Sequence, residues 1–273
     1  MMNGSKISVI TPSYNQVEYL ETCLRSVAHQ SYSNIEHIVV DGGSTDGSQK
    51  TLEEYQKRDD RLKFSSGPDK GQGDAVNKGF AQASGDIIAW INSDDYYFDE
   101  EVFKFVVEFF DKNPEVDIIY GGMAYVDSKN NLTHIRIPPQ YNYGMLTRIS
   151  YIGNTNTFFR RKVIDKHILD ADYHYVIDHE YMLRITKDFT AYRTKRMIAC
   201  FRVHPDAKTQ TLSLAIKNSE RLRRDKYHDI KTGIQFRILG FWDRIFYRLS
   251  LFYTDYKFIR KWKSNAPFKN FIK

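Results

Sequence analysis

Apolar and polar positions fall in alternating blocks along the first half of this chain. The run "KISVI" at 6–10 gives way to the polar "TPSYN". In "QVEYLETCLRSVAHQ", Val17, Leu20, Leu24 and Val27 recur at helical spacing, which predicts a helix with one buried face. "IEHIVV" predicts a second strand and runs into "DGGSTDGS"; "SQKTLEEYQKR" predicts a second helix. "KGQGDAVNKGFAQASG" reads as a helix bounded by glycines, and "DIIAWI" as a strand that ends in "NSDD". The helix "EEVFKFVVEFFDKN" then leads to the strand "VDIIYGGMAYVD". Strands alternating with helices at short intervals predict an α/β sheet, with parallel strands joined by right-handed crossovers. The strands are nearly continuous apolar runs, as expected when helices cover both faces. From about Gly144 to Thr211 the pattern is mixed, and from about Ser219 it becomes helical, basic and aromatic.

Open α/β sheets bind ligands at the carboxyl ends of their strands. Here those ends carry "TPSYN", "DGGSTD" and "NSDD". The adjacent carboxylates Asp94 and Asp95 repel each other and are costly to desolvate. A divalent cation held between carboxylate and phosphate oxygens would relieve that repulsion. The alternative is a plain turn whose aspartate caps the following helix, "DEEVFKF". Asp46 reads as the cap of the helix "GSQKTLEEY". The glycine-rich stretch 67–79 matches neither GxGxxG in a strand–turn–helix setting nor GxxxxGK[ST], so dinucleotide binding and a P-loop are disfavoured.

Charge divides the chain. The net charge is +6 over 273 residues. From Ala215 onward 15 Lys/Arg face 5 Asp/Glu, a net of +10 that leaves −4 for residues 1–214. The expected organisation is therefore a main α/β domain over 1–214 and a basic, aromatic helical extension over 215–273. Two cysteines, Cys23 and Cys200, suggest no disulfide framework. No signal-peptide core precedes the first strand, and no apolar run is long enough to span a bilayer. A cytoplasmic setting is expected.

"VITPSYN", "VVDGGSTDGS" and "INSDD" occur in order, each at a strand end. In this the chain closely resembles the family 2 glycosyltransferases, over roughly residues 5–210 and most strongly over 6–98. The resemblance implies the GT-A fold, a Rossmann-like, mostly parallel sheet flanked by helices. It implies transfer of a sugar, with inversion, from a nucleotide-sugar to a hydroxyl of a glycan or polyprenyl-linked acceptor. UDP is the nucleotide expected, with GDP and dTDP open. By the same resemblance Thr11, Pro12 and Tyr14 line the nucleoside pocket, Asp41 accepts from the base, and Gly43 allows close backbone approach. Asp69, Lys70, Gly71, Asp74 and Asn77 border nucleotide and sugar. Asp95 binds Mn²⁺ or Mg²⁺ at the diphosphate, and Asp94 contacts the ribose or the metal's water shell. The motif is written here Ser93-Asp94-Asp95, with serine where the first Asp usually stands.

Transfer to a hydroxyl needs a base on the acceptor side. "YVIDHEYMLRI" at 175–185 partly matches the family's acidic helix start, with Ile177 where Glu is frequent; it offers Asp178 as base and Glu180 as fallback. A helix cap is the structural alternative for Asp178. Asn154, Thr155 and Asn156 are candidates to donate to sugar or acceptor. "FRVHPDAKTQT" resembles the segment that closes the catalytic region, and its His204 is a candidate metal or diphosphate ligand. In the extension, Ile234, Ile238, Phe241, Trp242, Ile245, Leu249 and Phe252 share one helical face flanked by Arg237, Arg244 and Arg248. That composition suits an anionic membrane surface and peripheral attachment at the inner face of the cell membrane. Packing on the catalytic domain, an oligomer contact, or single-strand nucleic-acid binding are alternatives, and no nucleic-acid motif accompanies it. Two rivals to the enzyme reading are a sugar-1-phosphate nucleotidyltransferase, which lacks its basic phosphate loop here, and a non-catalytic nucleotide-sugar-binding or membrane scaffold protein.

Overall fold

The computed structural model describes residues 4–205 and Ala207. The extension expected over 215–273 lies outside them. Strand and helix alternate strictly at first: β1 (Ile7–Ser13), α1 (Val17–Ala28), β2 (Ile35–Asp41), α2 (Ser48–Gln56), β3 (Leu62–Ser66), α3 (Gln72–Gln82) and β4 (Ile87–Trp90). The order then loosens: β5 (Tyr96–Tyr97), α4 (Val102–Lys112), β6 (Ile118–Val126), β7 (Leu132–Arg136), α5 (Tyr143–Leu146), β8 (Thr157–Arg160), α6 (Lys162–Lys166), α7 (Ile177–Asp188) and β9 (Ala191–Arg202). Within 144–211, β8, α7 and β9 supply the order that the mixed pattern conceals.

The strands form one sheet in the order β3-β2-β1-β4-β8-β6-β9-β5, with β7 paired to β6 outside that row. The first four are parallel. β8 inserts antiparallel between β4 and β6, and β9 runs parallel to β6. Every residue of β1 and β2 is buried, which explains their unbroken apolar runs. Because successive strand residues face opposite ways, Ile7 and Val9 join the core of α1 and α4, while Ile10 joins that of α3 and α7. A smaller cluster under α2 gathers Leu20, Leu24, Val39, Leu52 and Leu62.

Two devices bring the strand ends together. Asp46 caps two helices at once: one carboxylate oxygen accepts from the Val17 N–H that opens α1 (2.8 Å), the other from Ser48 at the start of α2 (3.0 Å). The capping role read from the sequence is thus half of its work. Gly79 lets α3 lie directly on β1, since a Cβ there would collide with Ile10. α4 starts after Glu101, so neither Asp94 nor Asp95 caps it; the nearby carboxylate of Asp99 accepts from Glu101 N–H instead. The plain-cap alternative for the pair is therefore set aside.

Candidate active site

A cavity of about 720 Å³ opens where β1, β2 and β4 end. Pro12, Ser13 and Tyr14 line it from the loop after β1, Gly42 from that after β2, and Asn92, Ser93 and Asp94 from that after β4. Pro68, Asp69, Gly71 and Gln72 come from the loop that opens α3. Asn154, His174, Tyr175, Ile177 and Asp178 line it from the stretch between β7 and α7 and from the start of α7. Candidates from two distant stretches, Asp94 and Asp178, thus share one cavity. Its lining carries the carboxylates of Asp69, Asp94 and Asp178 and no lysine or arginine among the described residues.

The expected site residues divide into those that face the cavity and those that shape it. Pro12, Tyr14, Asp69, Gly71 and Asp94 face it. Tyr14 is 61% exposed and offers a free ring face. Gly71 has φ +103, a left-handed conformation that favours glycine. Thr11 is buried, its hydroxyl on His37 Nε2 at 2.9 Å. Asp41 is buried too: its carboxylate takes the N–H groups of Gly43 and Ser44 and the hydroxyls of Ser44 and Ser66. That turn places Gly43 at φ +85 and presents Gly42 to the cavity. Asp74 accepts from Lys70 N–H and pairs with Lys78 at 2.9 Å, and Lys70 is exposed between lining residues. Asn77 exchanges two hydrogen bonds with the Leu169 backbone. It anchors the segment that leads into α7, and Gly73 lets Ala171 and Ile177 approach α3 closely.

Asp178 is the second residue of α7, after Val176 at the cap position. Its negative charge meets the helix N-terminus, a favourable placement. Burial pushes its carboxyl above the ordinary carboxylate range, although neighbouring His179 opposes this. His179 Nε2 in turn donates to the Leu146 carbonyl at 2.7 Å, tying this first turn to α5. Glu180 does not reach the cavity. It is fully buried, and both its oxygens receive Arg184 at 2.9 Å.

Asp94 and Asp95 point differently. Asp94 lines the cavity and its Oδ2 meets His204 Nε2 at 3.0 Å. Asp95 is 1% exposed; Oδ1 accepts from Arg202 N–H (2.9 Å) and Oδ2 from the Thr155 hydroxyl (2.8 Å). Burial first, and the charge of Asp94 second, hold the Asp95 carboxyl well above its usual range. His204 is buried and its Nδ1 has no partner among the described residues. The Asp94 carboxylate, in an acidic cavity, fits a hard cation that takes its other ligands from substrate phosphate, while Asp95 is buried beside it in sequence with both oxygens already accepting hydrogen bonds. No cluster of three or more His, Cys, Asp or Glu stands ready to cage a metal among the described residues.

Of the three polar residues expected near the acceptor, Asn154 lines the cavity, Thr155 holds Asp95, and Asn156 braces the Gly121 carbonyl. Sequence reasoning missed Gln72, Asn92, His174 and Tyr175. Gln72 Nε2 donates to Asn92 Oδ1 at 2.7 Å, and Asn154 reaches the same oxygen at 3.3 Å. His174 and Tyr175 directly precede the "VID" of α7, and that adjacency was the available signal.

The sheet order and its flanking helices define an α/β protein with the GT-A arrangement. The family model for glycosyl transferase family 2 matches residues 8–170, and the chain belongs to that family. It is 32% identical to an uncharacterized glycosyltransferase of Nostoc sp. over 59% of this chain and 52% of the relative. An uncharacterized glycosyltransferase of Mycobacterium tuberculosis is 31% identical over 67% of this chain and 70% of its own. The chain thus spans about half the length of the Nostoc relative. Among solved structures, Staphylococcus aureus TarS 1-349 in complex with UDP-GlcNAc superposes with a TM-score of 0.58 at 19% identity, covering 76% of this chain and 61% of TarS. The mannosyltransferase PcManGT of Pyrobaculum calidifontis, in complex with GDP-Man and Mn²⁺, gives 0.59 at 18%, covering 81% and 65%. At these identities the likeness is one of fold. No helix among the described residues is long and apolar enough to cross a membrane.

Proposed function

We propose that this chain transfers a sugar from a nucleotide-sugar donor to a hydroxyl of a glycan or lipid-linked acceptor, with Asp178 as general base. The observation that carries this reading is that Asp94 and Asp178, from distant stretches of the chain, line one cavity at the carboxyl ends of the parallel strands. Pro12, Tyr14, Gly42 and Asp69 receive the nucleoside, with Tyr14 stacking near the base. Gln72, Asn92 and Asn154 offer neutral amides to sugar hydroxyls. Asp178 takes the proton of the acceptor hydroxyl, whose oxygen bonds to the anomeric carbon. The bond from that carbon to the phosphate oxygen breaks, and the nucleoside diphosphate leaves with the electron pair. One displacement of this kind inverts the anomeric centre. The raised pKa of Asp178 suits a base working nearer neutrality than an ordinary aspartate.

Asp94 and Asp95 would hold a divalent cation, Mn²⁺ or Mg²⁺, beside the diphosphate, with His204 fixing Asp94. Such a cation, when bound, offsets the charge that develops on the leaving diphosphate. The acidic lining supports this requirement, since it offers a diphosphate carboxylates and no lysine or arginine among the described residues. UDP is favoured as the nucleotide; the named ligands of the solved relatives include both UDP-GlcNAc and GDP-Man. The basic extension is proposed to hold the enzyme at an anionic membrane surface, where a lipid-linked acceptor resides. Thermal-shift and hydrolysis assays of UDP-, GDP- and dTDP-sugars, with and without Mn²⁺, test the reading. Stabilisation by one nucleotide class that requires Mn²⁺ and disappears in Asp95→Ala is expected. A flat response to every donor would overturn it. Failure of the full chain to float with anionic liposomes would remove the membrane part alone.

A further inference from the structure

Arg202 is 1% exposed, among the largest fully buried side chains of the protein. Burying a guanidinium costs several kcal/mol unless partners compensate, so its partners are informative. Its Nε–H donates to the Asp94 carbonyl at 2.9 Å, and its backbone N–H to Asp95 Oδ1 at 2.9 Å. A further N–H leans on the Ser128 carbonyl at 3.4 Å. The rings of Tyr19 and Tyr96 lie 4.7 and 5.4 Å from the guanidinium carbon, within cation–π range. His204, two residues on, packs on the same Tyr19 ring at 4.6 Å and holds the Asp94 carboxylate.

The loop that carries the aspartates does little to fix itself. Its internal bonds are the Asp95 N–H to the Asn92 carbonyl at 3.1 Å and a long contact from the Asn92 amide to Asp95 at 3.4 Å. Shorter bonds reach it from outside: from Gln72 of α3 to Asn92, and to the two aspartates from the end of β9 and from Thr155.

We infer that Arg202 is the positioning residue of the Asp94–Asp95 pair. Packed on Tyr19 and Tyr96, its side chain holds the Asp94 carbonyl and thereby sets its own main-chain N–H on the Asp95 carboxylate, in the orientation that a divalent cation and a diphosphate need. The inference rests on the proposal that this pair takes a cation with the donor. Charge and positioning make opposite predictions. If Arg202 only offset negative charge, its removal would tighten cation binding. If it positions the pair, replacement loosens binding even when charge is kept, because lysine lacks the planar fork and the stacking face.

The test is Mn²⁺ binding to the full chain in the presence of UDP, by calorimetry, with hydrogen exchange of peptides covering residues 92–98. In Arg202→Lys, Mn²⁺ binding weakens about tenfold, the scale seen when a group orienting a metal ligand is lost. Protection of 92–98 falls, while peptides of β1 to β3 exchange as in the wild type. Unchanged affinity in a chain that binds Mn²⁺ overturns the inference, and so does tighter binding by Arg202→Met. If the wild type binds no Mn²⁺, the cation proposal falls by itself, and exchange decides the role of Arg202: unchanged protection in Arg202→Lys refutes it. Should Arg202→Lys not fold, Tyr19→Leu removes one of the two rings that Arg202 packs on. Reduced protection at 92–98 then supports the inference, and wild-type protection overturns it.

Discussion

On the flank of the cavity built by β1, β2 and α3, several bonds that close the turns span only two to four residues, alongside longer ones such as Ser66 to Asp41 and Val17 to Asp46. Asp41 binds Gly43 and Ser44, Asp69 accepts from Gly71, and Asp74 accepts from Lys70. Around the Asp94–Asp95 pair, partners arrive across 60, 107 and 110 positions, as Thr155, Arg202 and His204. The first flank is built on short turns whose glycines and aspartates can be recognised as words, tied to one another across 25 to 30 positions. The second is assembled by strand pairing, with β8 and β9 delivering residues to a loop that cannot order itself. Local closure loses little chain entropy, whereas the distant contacts depend on the whole sheet having formed. A substitution in the first flank should therefore disturb one loop, and one in the second should disturb both aspartates together.

The largest expected effect separates chemistry from folding at the start of α7. Asp178→Asn should lower turnover about a thousandfold, within the range for loss of a general base, while nucleotide-induced stabilisation persists. In the wild type the acid limb of the pH–rate profile should lie above the ordinary aspartate value of 3.8, because burial raises this carboxyl. A limb at or below that value would assign the base elsewhere.

Next comes the anchor of the local flank. Asp41→Ala strands the N–H groups of Gly43 and Ser44 and the hydroxyl of Ser66, and should cost about 2 kcal/mol in denaturant unfolding. The donor KM should rise because the Gly42 turn loosens. A variant with unchanged stability would show that water replaces the carboxylate.

Glu180→Gln breaks a buried pair whose arginine is still 26% exposed. Partial solvation reduces the expected loss to about 1–2 kcal/mol. Turnover per folded molecule should match the wild type; a loss comparable to that of Asp178→Asn would restore Glu180 as the base.

The smallest effect is a pH dependence far from the chemistry. Glu36 is buried in β2, and although burial alone raises its pKa, the Ser8 and Ser84 hydrogen bonds and Lys6 bring it down to about 2. A carboxyl depressed on folding adds stability that is full above its unfolded value near 4.5 and is lost as pH falls through about 2. Glu36→Gln should flatten the stability profile across that window in acid titrations followed by circular dichroism. Unaltered steepness would place the acid sensitivity in other groups.

Much of this protein was legible before its structure. The spacing in 17–27 defined α1, and the apolar runs of β1, β2 and β4 were clear because helices cover both of their faces. The cavity falls at the ends of those strands, where Pro12, Tyr14, Asp69, Gly71 and Asp94 were expected. β9 was hidden because it mixes buried and exposed positions, carrying Arg193, Lys195 and Arg196 before its buried stretch, and β8 because it is only four residues long. Asn77 resembled a donor contact because a side-chain amide in a glycine-rich segment carries no mark of its partner, which proved to be Leu169, 92 residues away.

The sequence by itself determined the alternation of strand and helix, the polar strand ends and the family to which they belong, since each follows from local periodicity and short motifs. Only the tertiary structure decided which carboxylates face the cavity. An aspartate turns toward whichever N–H and O–H groups can reach it. For Asp41 those groups lie in its own turn and in β3; for Asp95 they come from β9 and Thr155, and pairing of the sheet brings them there.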